Sequence, residues 1–356
     1  MKILLVTFSD NADHQDTTFG MYEALRNDDD IEAFLLAIKT PRVSLEKSDH
    51  TWLVDCPKRP GICKKTFDIP LLFSIIHKIK KQHFDAVYFE SLHVWNLPIM
   101  VAIKGHTHIY HVIHDVIPHE NDSSWRQVDW FNKVLVRLAD TIVLRNRKFI
   151  STLISRYNVS PPKVHYLELW RRYIEYTPSV HSHRVLFFGR MNPYKGIDNL
   201  LEIVKRCPNL QFDIVGKVDP QVESIVQLLK KEPNVSLMSG YVSDQDMKRY
   251  FVNSDWVIVP YNSATQSGII IDAYKYSRPV IAFNVGAISE QVVPGKSGFL
   301  IDSGNIEAFS QCLQKVTQMK NSFHENLCRQ SYAIGCQKYA ASGKVEDFKN
   351  FIEENL

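Results

Sequence analysis

At 356 residues, 45% hydrophobic and 23% charged, the chain is globular in composition and too long for one ordinary core, so two domains are expected. A formal net charge of only +3 argues against a general polyanion binder and against nucleic acid as a partner. Six cysteines (Cys56, Cys63, Cys207, Cys312, Cys328, Cys336) form no CxxC pair, which disfavours a zinc site or disulfide framework and suits free thiols in a reducing compartment.

The chain starts as a short strand, Ile3 to Phe8, rather than a signal peptide, and no apolar run reaches the length of a membrane span. A cytoplasmic protein is expected, with peripheral contact at the inner membrane face open to it. Ser9 to Thr18 reads as a polar loop, Phe19 to Leu25 as a helix, and Ile31 to Ile38 and Trp52 to Asp55 as strands. Between Lys58 and Lys81 stand seven cations, Lys58, Arg59, Lys64, Lys65, Lys78, Lys80 and Lys81, against one carboxylate, Asp68. The run Ile69 to Lys81 is an amphipathic basic helix. It suits first a core helix with a solvated basic end, and second a contact with an anionic membrane surface or lipid-diphosphate acceptor.

Phe84 to Phe89 reads as a strand ending in Glu90, and Thr107 to His114 as another that runs into a loop holding Asp115 and His119. His108, His111 and His114 are spaced three apart, which on a strand points consecutive members to opposite faces and disfavours a metal. His114 and Asp115 sit at a strand's carboxyl end, where α/β sheets bind ligands. After a helix from Trp125 and a strand Thr141 to Leu144, the cations Arg145, Arg147 and Lys148 are a second candidate anion contact. The stretch 169–183 has no periodicity and reads as a linker between domains 1–168 and 184–335, with 336–356 a helical segment expected to return to the first domain.

The second half alternates strands and helices, which predicts a parallel sheet covered on both faces. Val185 to Phe188 is a buried strand, Gly189 breaks it, and Arg190 and Lys195 bracket a loop ending at Gly196, before Ile197, Leu200, Leu201 and Val204 recur at helical spacing. Cations beside a helix start favour a phosphate, although the same residues suit a solvated turn. Further on, Pro260 to Gln266 leads into Ser267-Gly268, whose backbone N–H groups at a helix start can hold a diphosphate, and Asp272 lies about a turn in, where a carboxylate can grip ribose hydroxyls. Tyr241, after a strand, is a candidate base contact. No GxGxxG follows the first strand, so a dehydrogenase is disfavoured.

The loop Gly189 to Gly196, the stretch Ser267 to Ala273, the strand Pro279 to Ala282, the turn Val285 to Glu290 and the end Gly295 to Leu300 follow one another in the order found in glycosyltransferase family 4, which this chain resembles. The resemblance covers Val185 to Ile301 strongly and the first half weakly. It implies an α/β GT-B fold, two doubly wound Rossmann-like domains facing a central cleft. It also implies a retaining hexosyl transfer from a nucleotide-diphosphate sugar, with no cofactor and no metal, to a glycan or lipid-linked saccharide in surface polysaccharide synthesis. His114, Arg190 and Lys195 are then catalytic; Gly189, Tyr241, Thr265, Gln266, Ser267, Gly268 and Asp272 bind the donor; and Asp16, Thr17, Gly20, Asp115 and His119 lie on the acceptor side. One departure stands out: eight positions before Asp272, where the family has a first glutamate, is Ala264. A non-catalytic nucleotide-sugar-binding protein and an epimerase on the same scaffold are the competing readings.

Overall fold

The structure, a computed structural model, describes all residues except Asn27, 40–47, Arg59, Asp115, 117–124, Tyr241 and Thr265, and the side chains of Ala12 and Trp125. Two compact units divide the chain: Met1–Arg172 with Tyr339–Leu356, and Tyr173–Lys338.

The first unit runs β1 (Lys2–Thr7), α1 (Ala12–Leu25), β2 (Glu32–Ile38), β3 (Thr51–Val54), α2 (Ile69–Gln82), β4 (Ala86–Phe89), α3 (Asn96–Ile103), β5 (His108–Ile113), α4 (Trp125–Leu138), β6 (Thr141–Leu144), α5 (Ile150–Tyr157) and β7 (Val164–Tyr166). The seven strands form one parallel sheet in the order β3-β2-β1-β4-β5-β6-β7. Both faces are covered, so the strands are continuous apolar runs that alternate between two cores. Leu4, Val6 and Phe8 pack with Leu72, Ile75, Ile99 and Leu135, whereas Ile3 and Leu5 pack with Met21, Tyr22 and Leu25 of α1.

The second unit runs β8 (Arg184–Phe188), α6 (Ile197–Arg206), β9 (Gln211–Gly216), α7 (Glu223–Leu229), β10 (Val235–Ser239), α8 (Asp244–Val252), β11 (Trp256–Val259), α9 (Gly268–Lys275), β12 (Val280–Asn284), α10 (Ile288–Gln291), β13 (Gly298–Asp302), α11 (Ile306–Thr317) and α12 (Asn321–Tyr339). Its six parallel strands are ordered β10-β9-β8-β11-β12-β13. A last helix, α13 (Val345–Asn355), belongs to the first unit. Its Phe348, Phe351 and Ile352 complete the core of Ile3, Tyr88 and Trp170, and Tyr110 Oη donates to the Ile352 carbonyl.

One expectation changes. Helix α1 begins at Ala12 and not near Phe19. Asn11 caps it through Asp13 N, while Thr17 and Thr18 donate to the carbonyls of Asp13 and His14 four residues back, so polar side chains that suggested a loop are satisfied inside a helix. The boundary between the two units, after Arg172, falls inside the stretch 169–183 read as a linker, and the stretch is bonded on both sides of it. Trp170 and Arg171 are buried in the first unit, whereas Thr177, Pro178, Ser179 and His183 are bonded into the second. The anchor there is Arg278, fully buried, which donates to the carbonyls of Thr177, Pro178, Phe251, Val252 and Ser277.

In each sheet the strand order reverses once, between β1 and β4 in the first unit and between β8 and β11 in the second. Loops diverge at the carboxyl ends of those strands and leave room for a ligand.

Candidate functional site

In the second unit, β8 is followed by Gly189, whose φ of +117° suits glycine and whose N–H donates to Val215 O at 2.9 Å. The chain then turns once through Pro193–Lys195 to Gly196, φ +65°, where an added Cβ would stand 2.0 Å from Pro260 O. Hydrogen bonds stitch this loop to the one after β11. Asn262 N donates to Tyr194 O (2.9 Å), and Asn199 Nδ2 donates to Pro260 O (3.0 Å) and Asn262 Oδ1 (2.7 Å).

Lys195 is folded inward, 9% exposed, and its ammonium donates to Tyr261 Oη at 2.9 Å. It closes on Gly189, where a Cβ would meet Lys195 Nζ at 3.0 Å and Ile269 Cδ1 at 3.6 Å. Gly189, Lys195 and the first turn of α9 therefore meet at one point. Ser267 precedes α9 without capping it by its side chain. Its backbone is held by Gln291 (Ser267 N to Oε1 at 2.7 Å, Nε2 to Ser267 O at 3.0 Å), and its buried Oγ has no hydrogen-bond partner among the described residues. An uncapped helix start, an inward ammonium and a waiting hydroxyl make a cradle for an anion such as a diphosphate. Asp272 is buried one turn further along α9, Gln266 and Gly268 are half-buried beside it, and Arg190 is exposed where β8 ends. The expected contacts Tyr241 and Thr265 lie outside the described residues.

In the first unit the groups gather at the ends of β1, β4, β5 and β6. The His114 Nε2 lies 2.7 Å from Glu90 O and 3.1 Å from Glu90 Oε1. Glu90, 1% exposed, accepts from Arg145 at 2.7 Å. Burial works against the Glu90 charge, but the Arg145 guanidinium and the His114 ring beside it hold its carboxyl below the usual carboxylate range. His14, from α1, packs its ring 4.5 Å from that of His114 and meets Ser9 Oγ through Nδ1 at 2.9 Å.

Arg145 is thus not an exposed anion contact as the sequence suggested. It is buried, bonded to Leu167 O, Glu168 O and Tyr88 Oη, and 4.2 Å over the Trp170 ring. Of the acceptor-side candidates, Asp115 and His119 lie outside the described residues. Thr17 accepts from Arg171 at 2.6 Å, Asp16 lies 3.8 Å from the same guanidinium, and Gly20 allows α1 to pass close to Arg172 N, where a Cβ would stand at 3.2 Å. The structure gives these three packing and pairing partners inside the first unit. Ser9 and His14 lie in the stretch Ser9 to Gly20 expected on the acceptor side, and Glu90 is the residue that sequence reasoning missed. The available signal was a carboxylate closing the apolar run Ala86 to Phe89.

The three strand histidines are not brought together: His108 pairs with Thr141 Oγ1 at 2.9 Å, and His111 is fully buried. Elsewhere His181, Asp255 and His324 have potential ligand atoms within 4.8 Å of one another. Asp255 already accepts from Ser179 Oγ (2.8 Å) and His183 N (2.6 Å), His324 Nε2 meets Asp255 O (2.9 Å), and the Arg278 cation acts on both, so the group pins the 179–183 segment.

Residues 182–319 match the family described as Glycosyl transferases group 1. The GDP-mannose:glycolipid 4-beta-D-mannosyltransferase of Xanthomonas campestris pv. campestris is 28% identical over 197 residues, 53% of this chain and 54% of that protein, so the chain spans about half that relative's length. The capsular polysaccharide biosynthesis glycosyltransferase CapM of Staphylococcus aureus is 27% identical over 137 residues, 36% of this chain and 35% of its own. Sucrose-phosphate synthase of Thermosynechococcus elongatus superposes with a TM-score of 0.73 at 15% identity, covering 99% of this chain and 98% of that one. Anabaena HepE in complex with UDP gives 0.70 at 15% identity, over 99% and 100%. The fold is therefore GT-B, built from two Rossmann-like parallel-sheet units, with residues 182–319 similar to the group 1 glycosyl transferases.

Proposed function

We propose that the protein is a glycosyltransferase that moves a sugar from a nucleotide-diphosphate sugar to a glycan or lipid-linked saccharide acceptor in surface polysaccharide synthesis. The observation that carries this reading is the meeting of Lys195, Gly189 and the uncapped start of α9 at the point where the second sheet reverses order. The leaving group of such a transfer is a nucleoside diphosphate whose charge grows as the glycosidic bond breaks. A fixed cation and oriented N–H groups stabilise that charge most strongly when shielded from water. The Xanthomonas and Staphylococcus relatives, a glycolipid mannosyltransferase and a capsule-synthesis glycosyltransferase, favour the acceptor class, and the HepE complex with UDP favours a nucleotide diphosphate as ligand. Asp272 is assigned to the ribose and His114 to the transferred sugar on the family resemblance, and no cofactor or metal is required by this scheme.

The reading includes peripheral attachment to a cytoplasmic membrane face through α2 and the segment before it. There Ile62, Phe67, Ile69 and Phe73 are exposed beside Lys64, Lys80 and Lys81. Among the described residues no helix is long and apolar enough to cross a membrane.

Retention of anomeric configuration follows the resemblance. Inversion is a second reading, favoured by Ala264, which puts a methyl group where the retaining motif has a carboxylate. Thermal-shift screening against nucleotide diphosphates and their sugars identifies the donor, since a ligand of the folded state raises the melting temperature. Incubation of that donor with a lipid-linked saccharide then yields a product whose anomeric carbon–proton coupling, compared with the donor's, decides between retention and inversion. Epimerised donor without acceptor, or tight binding with no turnover across an acceptor panel, would overturn the transferase reading.

A further inference from the structure

We propose that Glu90, fixed by Arg145, is a positioning residue that holds His114 in the Nε2–H tautomer and so presents its Nδ1 lone pair to a hydroxyl of a bound sugar. The proposal rests on the reading that His114 lies against the transferred sugar, and adds what sets its chemistry. His114 Nε2 hydrogen-bonds to Glu90 O at 2.7 Å and has Glu90 Oε1 at 3.1 Å, close but without a hydrogen bond to it; both oxygens are acceptors. A ring nitrogen facing acceptors must carry a proton, which in the neutral imidazole leaves the other nitrogen as an acceptor.

The remainder of the cluster serves that arrangement. Glu90 is buried, and a lone buried carboxylate would be driven to take up a proton and lose its hold. Arg145 prevents this at 2.7 Å, and is itself immobilised by Leu167 O, Glu168 O and Tyr88 Oη. Ring rotation of His114 is restrained on one face by His14, anchored at Ser9 Oγ. Among the described residues, the charged and titratable groups around His114 are Glu90 from the end of β4, Arg145 from the end of β6, His14 from α1 and His111 on β5 itself. Burial pushes His111 down to about 3, so it adds no second cation. A buried ion pair is weak as a stability device, because desolvation offsets the attraction. Holding an imidazole that is 17% exposed in one orientation is a use that an apolar pair could not serve.

Side-chain ¹⁵N NMR of the full-length protein, with His114→Ala identifying the resonances, reads the tautomer. The expected result is Nε2–H for His114; an Nδ1–H tautomer in the unsubstituted protein overturns the proposal without need of any further variant. Glu90→Gln removes the carboxylate charge 3.1 Å from Nε2 but leaves the residue-90 carbonyl in place, so it is expected to keep the Nε2–H tautomer and lower kcat about 10- to 100-fold, as loss of an orienting outer partner does. The KM for donor should change little. Added to His114→Ala, the same substitution should cause no further loss. Full activity of His114→Ala would remove the reading beneath the proposal. A defective His114→Ala with an unimpaired Glu90→Gln would overturn the proposal alone.

Discussion

Lys195 and Arg190 carry the same charge in one loop, but their surroundings separate them. The Lys195 ammonium is folded against Tyr261 Oη and Gly189, whereas Arg190 is exposed to solvent. A charge acting through a shielded site is worth far more than one screened by water. Lys195→Ala should therefore lower kcat by about 10²- to 10³-fold, the scale seen when one stabilising donor is removed from a transition state. Arg190→Ala should cost about tenfold less than that, and its effect should shrink further as salt is raised. Steady-state kinetics at two ionic strengths checks both, and equal, salt-independent losses would contradict the assignment. Gly196 poses a different constraint. Its φ is +65° and the Pro260 carbonyl occupies the space of a Cβ at 2.0 Å, so Gly196→Ala must move backbone. A loss of about 1–3 kcal/mol in urea-determined stability of the second unit is expected, the range for strain at a special backbone position.

At the scale of elements, α2 is the one whose two faces ask for different surroundings. Leu72, Ile75 and Ile79 enter the core, while Phe73, 66% exposed, and Phe67, 79% exposed, just before the helix, stand in solvent. Burying a phenylalanine in a lipid interface is worth about 1.5–3 kcal/mol and each lysine near an anionic surface about 1 kcal/mol. Phe67→Ser with Phe73→Ser should therefore abolish co-sedimentation with anionic phosphatidylglycerol vesicles, and Lys80→Glu with Lys81→Glu should weaken it in a salt-dependent way. Binding that is unchanged by either pair would remove α2 from the membrane contact. This helix was legible in the sequence because an amphipathic period of 3.6 is a local signal, and so were the βα alternation and the glycine loops of the second unit. Helix α1 was not: its buried His14, Gln15, Thr17 and Thr18 look like a loop until the partners that satisfy them are in place. Nor was the Glu90–Arg145 pair, because 55 residues separate two groups that meet only when β4, β5 and β6 lie side by side.

For the molecule as a whole, buried histidines are unevenly distributed and set the response to acid. Burial pushes His111 to about 3 and His93 to about 4, both in the first unit, from an ordinary 6.5. Each binds its proton more weakly folded than unfolded, so below 6.5 the unfolded chain holds more protons and stability falls as pH falls, down to the folded values. Glu90 acts with the same sign at lower pH: its carboxyl is held below 4.5, and its contribution is lost as the pH drops through its folded value. The two histidines act with the same sign over that window, so their contributions add. His324, lowered by burial, is the buried histidine of this kind among the described residues of the second unit, where its pull is partly offset by its hydrogen bond to Asp255. Hydrogen exchange from pH 7 to pH 4.5, corrected for the intrinsic rate at each pH, should show peptides of the first unit, Lys2–Thr7 and Ala86–Phe89 among them, losing protection before those of Val280–Asn284. His111→Phe, which fills the same buried space without a titrating group, should flatten the pH dependence of the first unit and leave the second unit's unchanged. Equal acid sensitivity of the two units, or an unaltered slope in the variant, would show that these imidazoles do not set it.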